Sequence, residues 1–212
     1  MKHFTEQDID GMDRVSRANL INSISGYKSA NLIGTISDEG ATNLAIFSSL
    51  VHIGARPPLL GFISRPVGEA ERHTYDNIKQ TGKYTINHVH RSLIAKAHWT
   101  SAKFERGESE FEKCRLSEEF IAGFAAPFVA ESLIKIGLEF VQENPIELNR
   151  TKLIIGRVLH IFMPDECLLD RGNIDLNVVD DVCISGLDTY HEVRKIETFP
   201  YARPGNLPEF DL

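Results

Sequence analysis

Between Ala30 and Met163 the apolar residues fall mostly into runs of strand length, and few stretches keep a helical period. Ala30–Ser37 (A-N-L-I-G-T-I-S) reads as a strand, with Asp38-Glu39-Gly40 as its turn. Thr42–Ile53 follows as one strand and Leu59–Ser64 as the next, joined by a Gly-Ala-Arg-Pro-Pro turn. Lys83–His90 alternates as a strand does, and Ser132–Gln142 and Lys152–Met163 form two long strands on either side of an E-N-P-I-E-L turn region. Helical signals occur at three places. Asp13 caps a helix whose stripe is Val15, Ala18, Ile21 and Ile24, stopped by Gly26; Arg72–Gln80 closes at Thr81-Gly82; Ser92–Trp99 is the third. Phe104–Gly123 is rich in charge and weakly patterned, a loop or partial helix. From Pro164 the pattern fades, and three prolines from Pro200 to Pro208 imply an extended arm. Strands with few helices between them favour a mainly β protein, an antiparallel barrel with helical insertions, over a doubly wound sheet. The expected layout is one domain over residues 1–212, with a barrel core at about 28–163 and a C-terminal helical segment and extended arm at 164–212.

Composition narrows the partners. The 212 residues are 42% hydrophobic and 25% charged, enough apolar material for a sizeable core. The net charge of −7 gives no general attraction to nucleic acid or to an anionic membrane, so neither is expected as a partner, and an anionic ligand must be met by local basic groups. Cys114, Cys167 and Cys183 are widely spaced and form no C-x-x-C pair, so no metal site or thiol-redox motif is expected. The charged start M-K-H-F-T-E-Q-D-I-D does not read as a signal peptide, and no apolar run approaches the ~18–20 residues of a membrane span; a cytoplasmic protein is the simplest reading.

The polar residues that break the apolar pattern are the candidates for chemistry. Ser48-Ser49 stands at the outer end of one strand and Ser64-Arg65-Pro66 at the outer end of the next, where they converge. Arg72-His73-Thr74 opens the following helix, and a helix start with a guanidinium and a hydroxyl makes a phosphate seat. Trp99 is followed by Thr100 and Ser101 at a helix end. His88 and His90 share one strand face, a geometry that can bind metal, but no third ligand stands at useful spacing. Each has an ordinary alternative: a surface strand end, a capped surface helix, a core tryptophan, a polar strand face. The chain contains no G-x-G-x-x-G, P-loop, G-x-S-x-G or H-E-x-x-H, so no nucleophile or catalytic metal is signalled.

In order and spacing, A-N-L-I-G-T-I-S-D-E-G-A-T-N-L-A-I-F-S-S-L, R-P-P-L-L-G-F-I-S-R, R-H-T-Y-D-N-I-K-Q-T-G-K-Y-T-I-N and T-S-A-K-F resemble the flavin reductase-like family of FMN-binding split barrels. The resemblance implies a six-stranded Greek-key split barrel that forms a homodimer with FMN at the interface. It places Phe47, Ser48, Ser49 and Leu50 at the isoalloxazine edge, Ser64 and Arg65 beside the ribityl chain and phosphate, Arg72, His73 and Thr74 at the phosphate, and Thr100 and Ser101 at the border of the pocket. His73 stands where many relatives carry an acidic residue. The implied activity is electron transfer from NAD(P)H, the expected donor, through flavin. The cofactor carries the chemistry, so no catalytic side chain is expected. The alternatives are an FMN-binding electron carrier without its own NAD(P)H reductase activity and a structural relative with an altered pocket.

Overall fold

The computed structural model describes residues 1–66, 73–105 and 107–206. Two helices lead the chain, α1 (Glu6–Asp10) and α2 (Arg14–Ile24). Thr5 and Asp8 form a capping box on α1. Asp13 caps α2 as expected, accepting hydrogen bonds from the amides of Val15 and Ser16 at 2.9 and 3.1 Å. The apolar stripe of α2 is not buried: Val15, Ile21 and Ile24 are all exposed.

Among the described residues, twelve strands follow in chain order: β1 (Lys28–Ser29), β2 (Asn31–Ile36), β3 (Thr42–Phe47), β4 (Val51–Ala55), β5 (Pro58–Ser64), β6 (Lys83–His88), β7 (Glu118–Glu119), β8 (Phe128–Val129), β9 (Lys135–Ile146), β10 (Thr151–Phe162), β11 (Val182–Ser185) and β12 (Thr189–Glu192). Three helices are set among them, α3 (His73–Thr81), α4 (Ile94–Trp99) and α5 (Glu110–Lys113). Seven strands form one antiparallel sheet in the order β3-β2-β6-β9-β10-β5-β4.

The two edges of that sheet, β3 and β4, are joined only by Ser48, Ser49 and Leu50. A flat seven-stranded sheet would hold its edges roughly 29 Å apart, at ~4.8 Å per strand. The link from Phe47 to Val51 reaches at most about 14 Å. The sheet therefore curls until its edges meet, which makes it a barrel closed at a seam. The expected strand Thr42–Ile53 is broken at this seam, and Val51–Ala55 becomes an edge strand of its own; that is why seven strands are found rather than six. The break has a local cause: the Ser49 hydroxyl accepts the Ile63 amide at 3.0 Å, a side chain taking the place of a ladder carbonyl.

The barrel interior is filled by Ile33, Phe62, Tyr84, Ile86, Leu138 and Ile154, with Ile78 of α3 packed among them. A second apolar layer lies on the other face of β2 and β3, where Leu32 and Leu44 meet Ala97 of α4, Phe111 of α5 and Val182 and Ile184 of β11. The charged stretch Phe104–Gly123 thus supplies core through Phe111, Cys114 and Leu116. The chain after Pro164 differs from the helical segment expected there. Among the described residues it forms 3-10 turns, the isolated bridge Leu168–Ile174 and the hairpin β11–β12, which pairs with β1. Beyond β12, Ile196, Phe199 and Tyr201 are exposed, as an arm without regular structure leaves them.

Candidate functional site

The seam gathers the first group of candidate residues. Phe47 ends β3 with its ring edge-on to Phe62, centroids 4.9 Å apart, and Leu50 packs against the same interior cluster. Ser49 is tied to β5 through Ile63, so its hydroxyl serves the fold first. Ser48 lies between them, half-buried. On β5 the ladder continues to Ser64, which is buried, and Arg65 just after it is exposed. The outer ends of β4 and β5 therefore do converge, and they bring Ser48–Leu50 beside Ser64 and Arg65.

Arg72 lies outside the described residues. Thr74, in the first turn of α3, is buried, and its hydroxyl accepts a hydrogen bond from the Asn43 side-chain amide at 3.0 Å. Asn77, one turn on, donates to Thr35 at 3.1 Å. These contacts with β2 and β3 fix the start of α3 at one end of the barrel. His73 sits within electrostatic reach of Glu110, a buried carboxyl on α5 that accepts the Leu44 amide at 2.9 Å. Burial raises the Glu110 pKa; the Leu44 amide and the charge of His73 work the other way. A carboxylate thus does stand near this helix start, but it comes from α5 rather than from position 73.

Thr100 and Ser101 follow α4, on the outer face of β3, and their hydroxyls donate to the carbonyls of Ala97 and His98, each at 2.7 Å. Thr100 is buried and Ser101 exposed. Trp99 beside them is 66% exposed, so it anchors no core. His88, the last residue of β6, and His90, just beyond it, are each engaged separately: His88 Nδ1 lies 2.6 Å from an Asp181 carboxylate oxygen, and His90 Nε2 lies 3.0 Å from the Glu131 carbonyl.

One charged group near the site was missed in the sequence. Lys152 pairs with Ser64 across the β10–β5 ladder, and its ammonium reaches both the Tyr75 hydroxyl and Glu143. The bond to Tyr75 raises its pKa, and the Glu143 charge adds to the effect, so it remains a cation beside the Ser64 strand end. Its signal was only the alternation of β10, which does not say which residue of another strand stands opposite.

Residues 25–174, well over half of the chain, match the model of the flavin reductase like domain. The chain belongs to this family. A protein with a split barrel domain from Shewanella frigidimarina NCIMB 400 is 46% identical; the likeness covers 95% of this chain and 100% of that one, with a TM-score of 0.92. Nitrilotriacetate monooxygenase component B from Bacillus cereus is 18% identical over 94% of this chain and 98% of its own, with a TM-score of 0.82. Flavoredoxin of Desulfovibrio vulgaris (Miyazaki F) is 21% identical over 85% of this chain and 93% of its own, with a TM-score of 0.71. At the last two identities the likeness shows the shared fold alone. Among the described residues, no helix is long and apolar enough to cross a membrane.

Proposed function

We propose that the chain is an FMN-dependent oxidoreductase of the flavin reductase type that draws electrons from NADH or NADPH. The observation that carries this reading is the seam: Ser48, Ser49 and Leu50 bridge the two sheet edges beside the Ser64–Arg65 strand end, in a chain of the flavin reductase-like family. The donor set fits a flavin mononucleotide. Backbone amides and hydroxyls at Ser48 and Ser49 suit the polar edge of a flavin ring, while Phe47 and Leu50 suit its apolar edge. A phosphate carries nearly two negative charges, which a chain of net charge −7 has to meet locally. Arg65, Arg72, His73, Thr74 and the start of α3 would do so, with Lys152 adding to the positive field.

Bound flavin supplies reversible two-electron chemistry. The chain's own work is to bind the ring, orient it and limit the water around it, which needs no side-chain acid or nucleophile. Thr100 and Ser101 border the pocket in this reading from the outer side of β3. The working form is a homodimer with the flavin at the interface. Strands β4, β9 and β10 leave Val51, Ile53, Val141, Leu159 and Ile161 exposed, apolar strand surface that a second copy would cover. The site of action in this reading is the cytoplasm.

The second reading is a flavin carrier without its own nicotinamide oxidation, which the same seat would serve. Anaerobic visible spectra of the FMN-loaded protein separate the two. Rapid bleaching of the yellow band on adding NADH or NADPH is the expected result. A band that persists with both donors supports the carrier, and a protein that takes up no FMN contradicts both readings.

A further inference from the structure

Away from the seam, a cavity of about 220 Å³ lies where the β1–β11–β12 sheet meets the end of β6. Its wall includes Tyr27, His88, Leu176, Asp181, Cys183 and Val193. Tyr27 and Val193 are exposed, at 71% and 48%, and form a rim; Ala30 and Val182, both buried, line the floor. Most of this lining is apolar. A dry cavity of about 150 Å³ is enough to hold benzene, so this volume suits a single substituted ring. It is too small for a drug-sized or nucleotide ligand, whose pockets start at about 300 Å³.

The polar feature of the cavity is one histidine–aspartate contact. His88 Nδ1 and Asp181 Oδ2 lie 2.6 Å apart, with side chains only 17% and 11% exposed. The carboxylate occupies Nδ1, and among the described residues no hydrogen bond reaches Nε2. Nε2 is an acceptor when the imidazole is neutral and a donor when it is protonated. A ligand hydroxyl meets either state, since it both donates and accepts; an N–H group meets only one. The remaining charge on the wall, Lys28, is held by the carbonyls of Asn22 and Gly186 at 2.9 and 3.2 Å, and Asp181 repels an anion.

We infer that this cavity is a second binding site, separate from the flavin seat, for a small uncharged ring bearing a hydroxyl group, which His88 Nε2 recognises while Asp181 fixes the imidazole.

Cys183 gives a direct readout. It lines the cavity and is half-exposed, whereas Cys114 and Cys167 are buried. Alkylation by iodoacetamide at fixed alkaline pH, followed peptide by peptide, reports occupancy of the cavity without any assay of activity. Phenol is expected to slow modification of Cys183, and toluene, of the same shape without the hydroxyl, to need about tenfold higher concentration for the same protection. Benzoate is expected to give none. His88→Leu is expected to reduce phenol to the level of toluene; should that variant fail to fold, the comparison of phenol with toluene on the unaltered protein decides. Equal protection by phenol and toluene would show an apolar crevice without recognition by His88 and overturn the inference, as would the absence of protection by phenol.

Discussion

Ser49 shows how one side chain serves the fold and the proposed site at once. Its hydroxyl accepts the Ile63 amide and so closes the barrel seam. Ser49→Ala leaves that half-buried N–H without its acceptor, and a loss of about 1–2 kcal/mol in unfolding stability is expected by urea titration, with flavin affinity falling less. An unchanged midpoint would mean that the bond contributes nothing to closure. Glu110 makes a second test, in pH. Burial raises its folded-state pKa, so the folded chain holds the proton more tightly than the unfolded chain does. Its contribution to stability is complete below the unfolded value of about 4.3 and is lost as pH rises through the folded value. Glu110→Gln keeps an acceptor for the Leu44 amide and removes the titration. The stability of the unaltered protein, relative to this variant, is expected to fall as pH rises above the ordinary carboxylate range. Parallel stability curves for the two proteins would contradict that.

At the scale of elements, the long hairpin β9–β10 depends on a close approach. Its register shifts between Ile155 and Gly156, and a Cβ at Gly156 would overlap the hydroxyl of Tyr84, whose ring fills the barrel. Gly156→Ala is expected to cost about 3 kcal/mol, and Tyr84→Phe in the same chain to recover part of it, because the overlapping oxygen is gone. Additive losses in the double variant would place the strain elsewhere. Elements like this one were legible in the sequence where the period was clean: β2, β5, β6, β10 and the Asp13 cap all stand where alternation and capping placed them. What was not legible depends on pairing across the chain. The break at Ser48 hides inside an apolar run, because it is set by Ile63 and by the need to join two sheet edges. The four-residue strands β11 and β12 were too short to carry a period, although Gly186 in their turn, with φ of 62°, was a usable sign of a hairpin. Glu110 and Lys152 could not be assigned to the site because their neighbours come from elements distant in sequence: Leu44 and His73 for the first, Tyr75 and Ser64 for the second.

For the whole molecule, the exposed apolar strand surface of β4, β9 and β10 predicts a stable homodimer. Light scattering is expected to give twice the mass of the chain, and Ile53→Lys, on exposed β4, to shift the protein toward monomer and to weaken flavin binding together with dimerisation. A monomer that still holds flavin tightly would separate the cofactor seat from the interface. A flavin seat at the barrel seam, with the phosphate held by local arginines, can be measured by equilibrium titration of the flavin-free protein with FMN and with riboflavin. Arg65→Ala and Arg72→Ala should each be compared with the unaltered chain. The unaltered chain is expected to bind FMN more tightly than riboflavin. Each substitution should weaken FMN by about tenfold or more, as for a lost charge-assisted bond, and leave riboflavin nearly unchanged. Equal affinity for the two flavins in the unaltered chain, or equal losses for both in the variants, would contradict it.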